Sequence, residues 1–132
     1  MRVLIADDSS MLRGKIRELF DDVPGIEIIG ETSTIQASIE AMRENRPDAV
    51  ICDIRFQEGN GIDVLYEAKR MDNPPIMIMF TNYPYPHYQK RCRDEQADYF
   101  FDKSSEFEDM VAILRELAAG GRNGKSRQVQ PD

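Results

Sequence analysis

A fivefold alternation of short apolar runs with longer amphipathic stretches constrains this chain more than any other feature. The runs are Val3 to Ala6, Ile26 to Ile29, Ala49 to Cys52, Ile76 to Phe80 and Tyr99 to Phe101. Three of them are apolar without alternation, as expected of parallel strands covered on both faces. The second, Ile26-Glu27-Ile28-Ile29, carries one charge and suits a sheet edge. Between the runs, Leu12, Ile16, Leu19, Phe20 and Val23 recur at helical spacing, as do Ile35, Ile39 and Met42. Ile62, Leu65 and Ala68 give a third helix, and Phe107, Met110, Val111, Leu114, Leu117 and Ala118 a last one. Ser33 with Gln36 and Ser105 with Glu108 read as capping boxes. Pro84 and Pro86 delay the fourth helix to about Pro86 and keep it short. Strict strand–helix alternation implies right-handed crossovers and a doubly wound, five-stranded parallel sheet with about five helices.

The chain of 132 residues has the size of one domain. Its net charge of −7 disfavours a nucleic-acid backbone as partner, so no DNA is expected. The longest apolar run, Pro74 to Phe80, is too short to cross a bilayer. Arg2-Val3-Leu4-Ile5-Ala6 leads straight into Asp7-Asp8 rather than through a leader, so a cytoplasmic location is expected. Cys52 and Cys92 have no metal-ligand spacing and read as reduced, core thiols. Gly120-Gly121 ends the last helix, and residues 120–132 show no periodicity, so they are expected to form a tail without fixed structure after a domain of residues 1–119.

Ligands of doubly wound sheets bind beyond the carboxyl ends of the strands. Here the first strand ends in Asp7-Asp8, the third in Asp53, the fourth in Thr81 and the fifth in Asp102-Lys103. Clustered carboxylates repel one another unless a cation intervenes, and an all-oxygen set suits a hard divalent ion, Mg²⁺ first. An exposed carboxylate beside such an ion, an amine and a hydroxyl is suited to accept a phosphoryl group. Each residue alone has a bland reading: Asp7-Asp8 and Ser9 as a helix cap, Asp53 as a turn former, Lys103 as a solvated lysine. Their convergence at four ends of one sheet carries the argument.

These segments resemble the receiver domains of bacterial two-component response regulators, from Met1 to about Ala119. Val-Leu-Ile-Ala-Asp-Asp-Ser is similar to the family's opening strand and acidic pair, and Pro47 to Ile54 to the segment leading to its phosphorylated aspartate. Gly61 follows eight residues after Asp53. Ile78-Met79-Phe80-Thr81 resembles the strand that ends in the switch Thr or Ser, and Ala97 to Lys103 the strand that ends in the family's lysine. The resemblance implies a flavodoxin-like strand order of 2-1-3-4-5. It also implies that Asp53 is the phosphoacceptor and that Asp8, Asp7, Asp53 and the backbone carbonyl of Arg55 hold Mg²⁺. Thr81 and Lys103 would contact the phosphoryl oxygens, with Thr81 and Phe100 as the moving switch residues. The phosphodonor would be a sensor histidine kinase or histidine phosphotransfer protein. The signal would leave by binding a downstream protein target through the face around the fourth helix and fifth strand, homodimerisation being left open. The chain would support its own phosphorylation chemistry without being a turnover enzyme.

Several positions depart from the family pattern. Gln57 stands where many members have Pro, leaving Phe56 to Asn60 less constrained. Ser104 replaces a common Pro after Lys103; a non-proline cis bond costs about 2.5–4 kcal/mol, so a trans bond is expected. Asn82 replaces a small residue, and Tyr83-Pro84-Tyr85-Pro86-His87-Tyr88 replaces an ordinary helix start, offering aromatic anchors to a partner. Arg55 and Tyr83 are large where the family's attacking water passes, which predicts slow phosphoryl loss. An aspartyl phosphatase would require a carboxylate two residues after the nucleophile, where Arg55 stands. A flavin binder would require a phosphate loop where Asp7-Asp8 would repel the phosphate.

Overall fold

The computed structural model describes residues 1–121, and the expected tail falls outside them beyond Gly121. The chain runs β1 (Arg2–Ala6), α1 (Ser10–Phe20), β2 (Glu27–Thr32), α2 (Ile35–Asn45), β3 (Ala49–Cys52), β4 (Arg55–Phe56), β5 (Gly59–Asn60), α3 (Ile62–Lys69), β6 (Ile76–Thr81), α4 (Pro86–Asp94), β7 (Tyr99–Asp102) and α5 (Phe107–Glu116). A wider turn, Leu117–Gly121, follows α5. Gly120, at φ +96°, breaks it as the Gly-Gly pair predicts.

Five parallel strands form one sheet in the order β2-β1-β3-β6-β7, the 2-1-3-4-5 order expected of the long strands. Successive side chains of a strand point to opposite faces, so each apolar run feeds two cores. Val3, Ile5, Ala49, Ile51, Ile78 and Phe80 pack with Ile16 and Phe20 of α1 and with Met110 and Leu114 of α5. Leu4, Ala6, Val50, Cys52, Met77 and Met79 pack on the other side with Met42 of α2, Leu65 of α3 and Cys92 of α4. Fully burying a side chain such as Leu4 or Ile78 contributes about 1.5–3 kcal/mol. Runs without alternation are what this two-sided burial demands.

Three local expectations change. Strand β2 continues through Gly30, Glu31 and Thr32, because an irregularity after Val3 moves the register from Val3↔Ile28 to Leu4↔Gly30 and keeps the strand on the edge of β1. The cap of α2 is Thr34, not Ser33: its side chain accepts from Ala37 N at 3.0 Å. No side-chain cap forms at Ser105; Glu106 stands at the start of α5, and its Oε1 accepts from Asp102 N at 2.8 Å. Helix α4 does begin at Pro86, with its proline in the first turn where a missing N–H costs nothing. Every peptide bond among the described residues is trans, Lys103–Ser104 included.

The register positions the strand ends. Ala6 pairs with Cys52, and Asp53 N donates to Ala6 O at 2.9 Å, so Asp7 and Asp53 emerge side by side. Thr81 pairs with Asp102, and Lys103 N donates to Thr81 O at 2.9 Å, which aims Lys103 back across the sheet.

Candidate functional site

Beyond these strand ends lies a cleft of about 530 Å³, lined by Asp7, Asp8, Asp53, Arg55, Tyr83 and Lys103 among others. Lys103 Nζ donates to Asp7 Oδ2 at 2.7 Å and to Asp53 Oδ2 at 2.9 Å. All three side chains are less than a tenth exposed. The other oxygens of the two carboxylates are also engaged. Asp53 Oδ1 accepts from Ile54 N at 2.6 Å, and Asp7 Oδ1 accepts from Ser9 N at 2.9 Å. Ser9 in turn caps α1, its Oγ accepting from Leu12 N at 3.2 Å.

The shared ammonium and the Asp7 carboxyl both shift upward. Burial, and next the charge of Asp53, push the Asp7 carboxyl above its ordinary pKa, although Lys103 and the Ser9 N–H oppose the rise. For Lys103, burial pulls the ammonium down, but the carboxylates of Asp53 and Asp7 outweigh it and hold the pKa above its ordinary value.

The exposed Asp8 completes the cluster: Asp7, Asp8 and Asp53 each offer a carboxylate oxygen, and these lie within 4.8 Å of one another. Three carboxylates against one ammonium leave two formal negative charges unmatched, the charge of a divalent cation. The all-oxygen donors and the open cleft fit Mg²⁺, which keeps part of its water shell. Arg55, on β4, lines the same cleft.

Two expected members stand apart. Thr81 is fully buried and does not line the cleft; its Oγ1 accepts from Tyr83 N at 3.0 Å. Asp102, an acidic strand end in the sequence, turns away to accept from Ser104 N and Ser104 Oγ at 2.9 and 2.7 Å. Phe100 is half-buried against the core that faces α2, α3 and α4.

Other contacts shape the site, and the one made by Arg13 was not legible in the sequence. The short antiparallel hairpin of β4 and β5 carries Arg55 and Gln57 over the cleft, and the Arg55 guanidinium stacks on the Tyr83 ring at 4.3 Å from its centroid. Tyr83 meets Tyr85 edge-on, and Tyr85 stacks with Tyr88. Arg13 donates from Nη1 to the backbone carbonyl of Asp7 at 2.7 Å. Gly61 passes so close to the Asp53 carbonyl that a Cβ there would lie 1.7 Å from it, which gives its spacing from Asp53 a steric cause.

Comparison with known proteins bears on the family and the fold. The model of the response regulator receiver domain matches residues 3–115. The chain is 31% identical over 117 residues to the transcriptional regulatory protein PdtaR of Mycobacterium tuberculosis, covering 89% of this chain and 56% of that protein. It is 30% identical over 133 residues to a protein-glutamate methylesterase/protein-glutamine glutaminase of Alkalilimnicola ehrlichii, covering 94% of this chain and 34% of that protein. The chain thus spans between a third and somewhat over half of these relatives' length. Among solved structures, the response regulator domain of Thermotoga maritima CheB superposes with a TM-score of 0.77 at 24% identity, covering 91% of this chain and 94% of that one, a likeness of fold.

Proposed function

The chain belongs to the response regulator receiver domain family, and on that premise we propose that Asp53 accepts a phosphoryl group in a Mg²⁺-dependent reaction that switches the binding of a protein partner. The observation that carries this reading is the Lys103 ammonium bridging Asp7 and Asp53, with Asp8 at hand, at the mouth of an open cleft.

A carboxylate oxygen of Asp53 attacks phosphorus as the bond from phosphorus to the donor nitrogen of a phosphohistidine breaks, and that nitrogen leaves with the electron pair. Asp7, Asp8, Asp53 and the Arg55 carbonyl would hold the metal, which when bound offsets charge on the transferring oxygens. Lys103 gives up part of its bond to Asp53 and offsets charge on a second phosphoryl oxygen. Thr81 takes a third, and to do so its hydroxyl must turn from Tyr83 N toward the cleft. That release connects the reaction to the Tyr83–Tyr88 segment and α4, the face assigned to the output partner, while Phe100 repacks.

In this reading a sensor histidine kinase or histidine phosphotransfer protein supplies the phosphoryl group. Residues 1–119 form the receiver unit. None of the described helices is long and apolar enough to cross a membrane, and we place the chain in the cytoplasm. Incubation with acetyl phosphate and Mg²⁺ should add one phosphoryl group to the intact mass, and beryllofluoride with Mg²⁺ should shift the NMR signals of residues around Asp53. Asp53→Asn should abolish both responses. A wild-type chain that stays unmodified and unshifted would sink the proposal.

A further inference from the structure

The acidic cluster is braced from outside the cleft. Asp7 N donates to Thr32 O of β2 at 3.0 Å, which ties the residue to the sheet edge. Its carbonyl points the other way, to α1, where Arg13 Nη1 donates to it at 2.7 Å. Arg13 is itself held: its Nε donates to Glu31 Oε1 of β2 at 3.2 Å, and its side chain is only 17% exposed. Arg17, one turn further along α1, meets the other oxygen of Glu31 without touching Asp7.

The consequence follows from peptide geometry. The Asp7 carbonyl and the Asp8 amide share one rigid plane, so holding the carbonyl fixes the direction in which Asp8 leaves it. Asp8 is exposed, and one of its carboxylate oxygens lies within 4.8 Å of those of Asp7 and Asp53. A guanidinium has a fixed fork of donors, so one side chain can hold the carbonyl and Glu31 together; a lysine ammonium cannot reproduce that fork.

We propose that Arg13, oriented by Glu31, is a positioning residue that preorganises Asp7 and Asp8 for the divalent cation. This rests on the reading of the cleft as a Mg²⁺ site. Groups that orient metal ligands typically govern affinity by about 10–100-fold.

The test is calorimetric titration of the full chain with Mg²⁺, at a temperature well below unfolding, with the melting temperature of the metal-free protein measured alongside. Arg13→Ala is expected to bind Mg²⁺ roughly tenfold more weakly. Arg13→Lys should fall between it and the wild type and carries the test if the alanine variant does not fold. Arg17→Ala, which removes a partner of Glu31 alone, should bind like the wild type. Equal Mg²⁺ affinity in wild type, Arg13→Ala and Arg13→Lys, whatever their melting temperatures, would overturn the proposal and leave Arg13 a structural residue. Equal weakening in Arg17→Ala would overturn it too, since the loss would then not require the contact to the Asp7 carbonyl. A wild type that binds no Mg²⁺ would instead remove the metal reading itself.

Discussion

Lys103 Nζ lies 2.9 Å from Asp53 Oδ2, joining residues fifty positions apart, and its second bond, to Asp7 Oδ2, makes it the cation on which two buried carboxylates depend. The ammonium is therefore tied both to the packing of the strand ends and to the proposed site.

Replacing Lys103 by Met should separate these two roles. It leaves Asp7 and Asp53 facing each other without their counter-charge, and breaking a buried pair in this way costs about 3–5 kcal/mol. The cleft admits water, so a loss near 3 kcal/mol at pH 7 is expected from urea unfolding. The loss should shrink as the pH falls toward the raised pKa of Asp7, which then takes up a proton. A Met variant as stable as the wild type at pH 7 would show that the pair contributes nothing net.

Asp7 gives a pH dependence whose sign can be worked out. Its pKa in the folded chain lies above the ordinary 3.8, raised by burial first and by Asp53 next. The folded state therefore holds the proton more tightly than the unfolded state, and the stability associated with it is lost as pH rises from about 4 through the raised value. Asp7→Asn cannot ionise, so the stability difference should move in favour of the variant as pH climbs through that window. Parallel pH profiles for the two proteins would contradict the assignment.

Gly61 is constrained by space rather than by backbone angle. With its Cβ position 1.7 Å from the Asp53 carbonyl, alanine forces the backbone of the loop after β3 to shift. Overpacking of this kind costs about 1–3 kcal/mol, and the obstacle here is main chain, which favours the upper end. Gly61→Ala should unfold at lower urea and disturb NMR signals around Asp53; an unperturbed variant would mean that the loop yields easily.

The two thiols should be silent. Cys52 and Cys92 are fully buried. Burial, the largest influence on each, pushes the Cys92 thiol up to about 12 and Cys52 well above its ordinary value. Since the thiolate is the reactive form, neither should react with Ellman's reagent at pH 8 until denaturant is added. Reaction of one thiol in the native state would reveal local opening of the core beneath the cleft.

The parts of this molecule that the sequence disclosed are those fixed by patterning. Val3 to Ala6 and Ala49 to Cys52 read as strands covered on both faces because each feeds two cores, while the pairing of the two strands, which brings Asp7 and Asp53 out together, is the order that the receiver resemblance implied. Features set by side-chain direction or by long-range contact were not readable. Asp102 follows the same strand logic as Asp53, yet its carboxylate turns to Ser104. Thr81 ends its strand as expected, yet its hydroxyl faces Tyr83 N. Gly30-Glu31-Thr32 lacks strand character, and only pairing with β1 makes it one, so the Glu31 that holds Arg13 went unrecognised with it.

The stack of Arg55 on Tyr83 makes the lifetime of a phosphorylated Asp53 testable. Both residues line the cleft, one from the β4–β5 hairpin and one from the loop after Thr81, so the stacked pair joins the two walls beside the acceptor. In the proposed reaction the water that attacks the phosphoryl group enters between those walls. A cation–π contact at an exposed position is worth about 0.5–1 kcal/mol. If opening of this pair gates the water, its loss raises the open population, and the hydrolysis rate, by about 2–5-fold, because 1.36 kcal/mol corresponds to a factor of ten. Arg55→Ala should therefore shorten the lifetime by that factor, and a double variant with Arg55→Asn and Tyr83→Ser, which also removes the bulk, should shorten it further. The measurement is decay of the phosphorylated species by intact mass after removal of acetyl phosphate. Decay at the wild-type rate in the double variant would show that water reaches the phosphoryl group by a route these two side chains do not control.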